Sequence, residues 1–159
     1  MEFNSTLTSI LNTHTVASPQ FIDYSEDTET LLVTSRSPDA VYEIEWGSGG
    51  LGTILWTSTI SLNDPSCATY SQKGVNKMVI SDTGNNRIVL YNRTTNQYTA
   101  RENCTFRSDL VGENEVIPLY RPFRSYQLYD DQICVVEERG QLINFDTMFS
   151  SSSSSSSSG

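Results

Sequence analysis

The chain has 159 residues, with ten Lys plus Arg against nineteen Asp plus Glu and a formal net charge of −9. An acidic surface repels phosphate backbones and anionic lipids, so no nucleic-acid partner is expected. No run approaches the ~18–20 consecutive apolar residues of a membrane helix, and Met1-Glu2-Phe3 carries an acid where a signal peptide has its basic region, so the compartment stays open.

Taken in chain order, residues 1–19 read as an N-terminal extension or edge strand. The single histidine, His14, lies there in a polar stretch and reads as ordinary surface. Strands are then predicted at Gln20–Tyr24, Thr30–Thr34, Val41–Trp46, Gly52–Ser58, Ala68–Ser71, Lys77–Ser81, Arg87–Tyr91, Gln97–Arg101, Ser125–Tyr129, Gln132–Glu137 and Gln141–Phe145. Each is a short run rich in Val, Ile, Tyr, Thr or Trp, bounded by Gly, Pro, Asn, Asp or Ser. No window keeps apolar residues at i, i+3, i+4 and i+7 over three turns, so no helix is predicted. The connecting turns are short, which makes neighbouring strands antiparallel.

The strands differ in pattern. Leu31-Leu32-Val33, Met78-Val79-Ile80 and Ile133-Cys134-Val135-Val136 are apolar without alternation, as in strands buried on both faces. Leu32, Val33, Val79, Ile80, Val135 and Val136 are therefore the expected deep core. The strand after each turn alternates: Tyr42, Ile44 and Trp46 point one way, Glu43 and Glu45 to solvent. Adjacent Glu137 and Glu138 face opposite sides, and Asp130-Asp131 reads as a hairpin turn. Gly47–Gly52 and Phe106–Pro122 read as the freest loops, with blade boundaries near Pro65 and Pro122. The serine run Ser150–Ser158, closed by Gly159, has no apolar surface to offset the entropy of ordering, so 147–159 is expected to be a disordered tail.

Three stretches of strand, tight turn and strand repeat. Val79 lies 47 residues after Leu32, and Cys134 lies 55 residues after Val79. A strand-built repeat of about 40–50 residues points to propeller blades. The expected fold is all-β, a partial β-propeller of about three blades over residues 20–146. Three fall short of the four to eight that close a ring. An open fragment of a larger propeller is therefore expected, or a ring completed by another chain.

The middle copy, Val79-Ile80-Ser81-Asp82-Thr83-Gly84-Asn85-Asn86-Arg87-Ile88-Val89-Leu90-Tyr91, resembles the core of an NHL repeat, in which a strand leads through D-x-G-N-x-R-I into a second strand. Tyr42-Glu43-Ile44-Glu45 followed by Gly52-Thr53-Ile54-Leu55-Trp56 is similar to the blades of arylsulfotransferase-like propellers. The first resemblance implies NHL-like blades and a non-catalytic binding or scaffold module. The second implies the alternative: the remnant of an arylsulfotransferase-like or lactonase-like enzyme with its catalytic residues on missing blades. Arylsulfotransferase-like enzymes need a histidine nucleophile and the amidating lyases several histidines on a metal, whereas this chain offers only His14.

Asp82, Gly84, Asn85, Asn86 and Arg87 read as a structural turn, with Gly84 and the asparagines supplying positive φ and Asp82 accepting turn amides. Asp82, Asn85 and Asn86 could instead gather oxygens for a calcium ion, but the turn accounts for them without a ligand. No G-x-S-x-G, H-E-x-x-H, C-x-x-C or phosphate-binding Gly loop is present. No catalytic residue, metal site or cofactor is therefore assigned. Cys134 reads as a small buried hydrophobe, while Cys67 and Cys104 could pair in a secreted chain. Asn92 and Asn103 open N-x-S/T sequons, as does Asn4; Asn92 is expected to be exposed after its strand. The expected partner is an unidentified protein or small-molecule ligand, with self-association through open blade faces.

Overall fold

The computed structural model describes residues 15–47, 50–72, 74–107, 114–128, 132–140 and 142–146. The first sheet is an antiparallel meander of β1 (Pro19–Ser25), β2 (Thr30–Arg36), β3 (Asp39–Gly47) and β4 (Gly50–Thr57). The second repeats it with β5 (Cys67–Ser71), β6 (Gly74–Asp82), β7 (Arg87–Asn92) and β8 (Gln97–Arg101). A two-stranded ribbon, β9 (Asn103–Arg107) and β10 (Asn114–Pro118), leads to the third sheet, β11 (Pro122–Gln127), β12 (Gln132–Glu137) and β13 (Leu142–Asp146). Among the described residues the only helical turn is a single 3-10 turn, Thr83–Asn85. This is an all-β fold of three stacked meander sheets, an open propeller arc whose first strands β1, β5 and β11 lie next to one another.

Stacking explains the double-sided apolar runs. Met78 and Ile80 of β6 point to the first sheet, where, with Val89 and Tyr91 of the neighbouring β7, they pack with Leu32 and Val41. Between them in sequence, Val79 points the other way and packs with Ile88, Leu119, Ile133 and Val135. Only a sheet sandwiched between two others needs both faces apolar. Val136 departs from expectation. It is 39% exposed, because it points out of the third sheet, whose outer face has no described sheet against it. Glu43 departs in the opposite sense: it faces the second sheet and is 0% exposed. It accepts a hydrogen bond from Tyr70 Oη at 3.0 Å and is ion-paired with Arg93.

Each sheet is opened by the same local device. Ser18, Asp64 and Arg121, each directly before a proline, have φ of 47°, 50° and 41°. A non-glycine residue in the left-handed region is uncommon; here it turns the chain into the inner strand. The proline that follows opens β1 and β11 and stands two residues before β5, where its missing N–H costs least. The sheets begin at Pro19, Cys67 and Pro122.

The Phe106–Pro122 stretch is not one long loop. Val116 pairs with Thr105 and Ile117 with Cys104 in the β9–β10 ribbon. In the other glycine-rich segment, Gly47 pairs with Gly50 and Trp46 with Leu51. His14, Asp130, Asp131 and the serine tail lie outside the described residues. No helix among the described residues is long and apolar enough to cross a membrane.

Candidate functional site

The turn singled out in sequence is built around a buried carboxylate. Asp82 ends β6, is fully buried, and accepts from Asn63 N at 2.7 Å, Asn85 Nδ2 at 2.9 Å and Arg87 Nε at 2.6 Å. Its amide donor is in the preceding connection rather than the turn. Arg87 also donates to Ser61 O at 2.8 Å, so the hairpin fastens the segment that leads into its own sheet.

The same latch recurs at equivalent positions. Glu137 lies 55 residues after Asp82, the offset of the strand copies. It is buried and accepts from Tyr120 N at 2.7 Å and Arg139 Nε at 2.5 Å. Ser35, 47 residues before Asp82, is buried and donates to Ala17 O at 2.5 Å. A chain of alternating charges crosses this end: Arg36 to Asp64 at 2.6 Å, Arg121 to Asp64 at 3.1 Å and Arg121 to Glu138 at 2.5 Å. The hydrogen bond from Arg121 holds the exposed Glu138 carboxyl below its usual range. Exposed pairs of this kind contribute little.

Gly84 does not supply the positive φ; Asn86 does, at φ 51° and ψ 41°. Gly84 is required for close approach instead. A Cβ there would stand 2.8 Å from Asn63 O and 2.7 Å from Asn63 Cγ. Gly84→Val should therefore cost about 1–3 kcal/mol, read as a lower urea midpoint, and calcium or a chelator should not move that midpoint. An unaltered midpoint in the variant would show that the Asn63 segment yields freely.

The two sequon asparagines differ. Asn92 ends β7, half-buried, and its Oδ1 accepts from Thr94 N at 3.0 Å and Thr95 N at 3.3 Å, so it is not the exposed residue expected. Asn103 opens β9 and is exposed. Cys67 is a free, buried thiol and Cys134 a free, half-buried one; the side chain of Cys104 lies outside the described residues.

The chemically varied groups that sequence reasoning did not single out converge along the inner strands. Asp23 on β1 accepts Tyr70 N of β5 at 2.8 Å. Thr69 and Ser71 of β5 donate to Ser125 O at 2.9 Å and Gln127 Oε1 at 2.6 Å on β11. Arg124 of β11 reaches back across both: its Cζ lies 4.7 Å from the Phe21 ring and 4.0 Å from the Phe123 ring. Its Nη1 donates to Ser66 O and Phe123 O, each at 2.9 Å. Tyr126 stands beside this group, 45% exposed. Burial, then the neighbouring Cys67 and Asp23, push its phenol above the usual range, against the opposing influence of Arg124.

A cleft of about 400 Å³ adjoins the cluster, lined by Asp23 to Asp27 with Tyr70, Ser71, Gln72 and Gly74. A larger one, about 700 Å³, is lined by Lys77, Leu90, Asn92, Gln97, Thr99 and Gln127 among others, away from Arg124. Burial also pushes the Tyr70 phenol well up, so it stays protonated and donates to Glu43. Among the described residues no three His, Cys, Asp or Glu side chains are grouped to hold a metal ion.

Cys67 is inert by environment. Burial raises its thiol from 9.0 to about 11, with Asp23 adding and the Ser125 backbone and Arg124 opposing. The unfolded chain loses this proton at lower pH than the folded one. Its contribution to stability is therefore complete below pH 9.0 and is lost as pH rises toward about 11. Cys67→Ser should flatten that alkaline limb in urea titrations, and native Cys67 should resist a thiol reagent at pH 8. Rapid labelling there would contradict its burial.

No protein-family model matches this chain, and no curated protein matches it. Among solved structures it is similar to that of a streptogramin B lyase, with a TM-score of 0.43 and 13% sequence identity. The match covers 81% of this chain and 54% of the lyase, so the chain spans about half that structure's length.

Proposed function

We propose that the chain is a non-catalytic binding or scaffold module of NHL-propeller type, engaging a small molecule or protein segment along the inner strands. The observation that carries this reading is the cluster of Asp23, Arg124 and Tyr126 beside Phe21, where two strands, β1 and β11, place one anion, one cation and one phenol against aromatic surface. That mixture suits recognition. The deeply buried carboxylates are already committed to arginines: Glu43 to Arg93, Asp82 to Arg87 and Glu137 to Arg139. They hold sheets and turns together and have no spare capacity for acid–base work. The NHL-like assignment rests on the hairpin from Asp82 to Arg87.

The test is a fragment screen by saturation-transfer NMR, with amide shifts mapping where hits bind. Hits that move Asp23, Tyr70 and Tyr126 support the module. In parallel, aryl-sulfate transfer and lactone hydrolysis are assayed with wild type, Asp23→Asn and Tyr126→Phe. Turnover abolished by either substitution would replace the module with the enzyme reading.

Self-association is a second reading, favoured by the outer faces of the end sheets. On the outer face of the first sheet, Leu31, Val33 and Ile44 are buried with Val16 packed against them, while Ile22, Tyr24 and Ile54 on the same face are exposed. Ile22 is 58% exposed there, and Leu142 is 74% exposed on the third sheet. Apolar patches of this kind drive association. Light scattering over a concentration series should show association, unchanged on removing Ser150–Gly159. A compact monomer in both forms would overturn it.

A further inference from the structure

Arg36, Arg87, Arg93, Arg121 and Arg139 each pair with a carboxylate. In a chain of net charge −9 this is unsurprising. Arg124 is the exception on the inner strands: among the described residues no carboxylate lies within ion-pair distance of it. Asp23, the nearest acid of the cluster, already accepts the Tyr70 amide at 2.8 Å.

The guanidinium is nevertheless held firmly. It stacks on Phe21 and Phe123, and both bonds it makes to the protein leave from Nη1, to Ser66 O and Phe123 O. Both rings lie within cation–π distance of the ion. What remains is the in-plane edge of Nε and Nη2, whose N–H groups have no protein acceptor among the described residues. A guanidinium presents two parallel donors along such an edge, matched to the two oxygens of a carboxylate. Its side-chain entropy is already spent on stacking, so little is lost when a ligand docks. Tyr126, two residues on along the same strand and half exposed, is near enough for Arg124 to act on its phenol and carries a hydroxyl donor on this side of the cluster.

We propose that Arg124 is the anchor of a carboxylate-binding subsite, its Nε–Nη2 edge taking the carboxylate of a ligand and the Tyr126 hydroxyl supplying a further hydrogen bond. This rests on the reading of the inner strands as the binding surface and names the class of ligand they take. A monoanionic carboxylate is favoured over a phosphate dianion because the surrounding acidic field penalises the second charge.

The experiment is a titration of the folded full chain with sodium acetate, against sodium chloride at equal ionic strength, following the Arg124 Nε–H resonance. Expected is a saturable shift with acetate alone, weakened at least tenfold in Arg124→Lys, which keeps the charge but loses the planar edge. Tyr126→Phe, an exposed substitution that should leave the fold intact, should weaken acetate about 2–10-fold, the worth of one hydrogen bond. Acetylglycine and a short peptide with a free or an amidated C-terminus then separate a free acid from a chain end as the source. A linear response shared with chloride, or unchanged acetate affinity in a folded Arg124→Lys, overturns the proposal. Should Arg124→Lys not fold, unchanged affinity in Tyr126→Phe overturns it. Fragment hits at Asp23 and Tyr70 without an acetate response at Arg124 would sink the subsite and leave the module standing; no hits at either place would remove both.

Discussion

Val79→Asp should yield no soluble folded protein, while Val136→Asp, at a site also predicted from sequence to be core, should fold. Val79 is 0% exposed and wedged between Ile88, Leu119, Ile133 and Val135. A carboxylate there has no partner and no water, a cost of several kcal/mol set against a total stability of about 5–15 kcal/mol. Val136 is 39% exposed on the outer face of the third sheet, where a charge stays hydrated. Expression in the soluble fraction and cooperative thermal melting read the contrast. Two equally soluble variants would mean that the second and third sheets do not pack as described. If the outer faces associate, Val136→Asp should also shift the chain toward monomer.

Asp82→Ala should cost about 3–5 kcal/mol, the range for removing one partner of a buried ion pair. Three donors lose their acceptor at once: Asn63 N, Asn85 Nδ2 and Arg87 Nε. Arg87 is only partly covered, so water recovers some of the loss. Asn63 is itself exposed, so its amide also regains some water, which keeps the cost toward the lower end of that range. Glu137→Ala should repeat the effect on a smaller scale, because Arg139 is more exposed and Tyr120 N is the principal orphan. Urea denaturation of the single variants measures both. A cost below ~1 kcal/mol for Asp82→Ala would mean that the latch is ornamental and that sheet stacking alone seats the connections.

The strands were legible because each carries its own signal. Every predicted strand coincides with an observed one to within a few residues, since period-two patterning and turn residues act locally. The β9–β10 ribbon was missed because Asn103-Cys104-Thr105-Phe106-Arg107 and its partner lack strong alternation and sit beside a presumed boundary. The latch was half legible. Ser35, Asp82 and Glu137 fall at the repeat offsets, and the prolines at 19, 65 and 122 fall within two residues of them.

From sequence alone follow an all-β chain, its hairpins, its repeat and the middle strand buried on both sides, because those depend on neighbours along the chain. Which polar groups end up buried depends on neighbours across sheets. Glu43 read as solvent-facing by alternation, yet the second sheet supplies Arg93 and Tyr70 to pair with it. Val136 read as core by its apolar run, yet no described sheet covers its face. Phe21, Asp23, Arg124 and Tyr126 are separated by about a hundred residues between the first pair and the second, and no motif links them. Only the stacking of β1, β5 and β11 brings them together, because their proximity comes from how three sheets converge on their first strands rather than from any pattern within one.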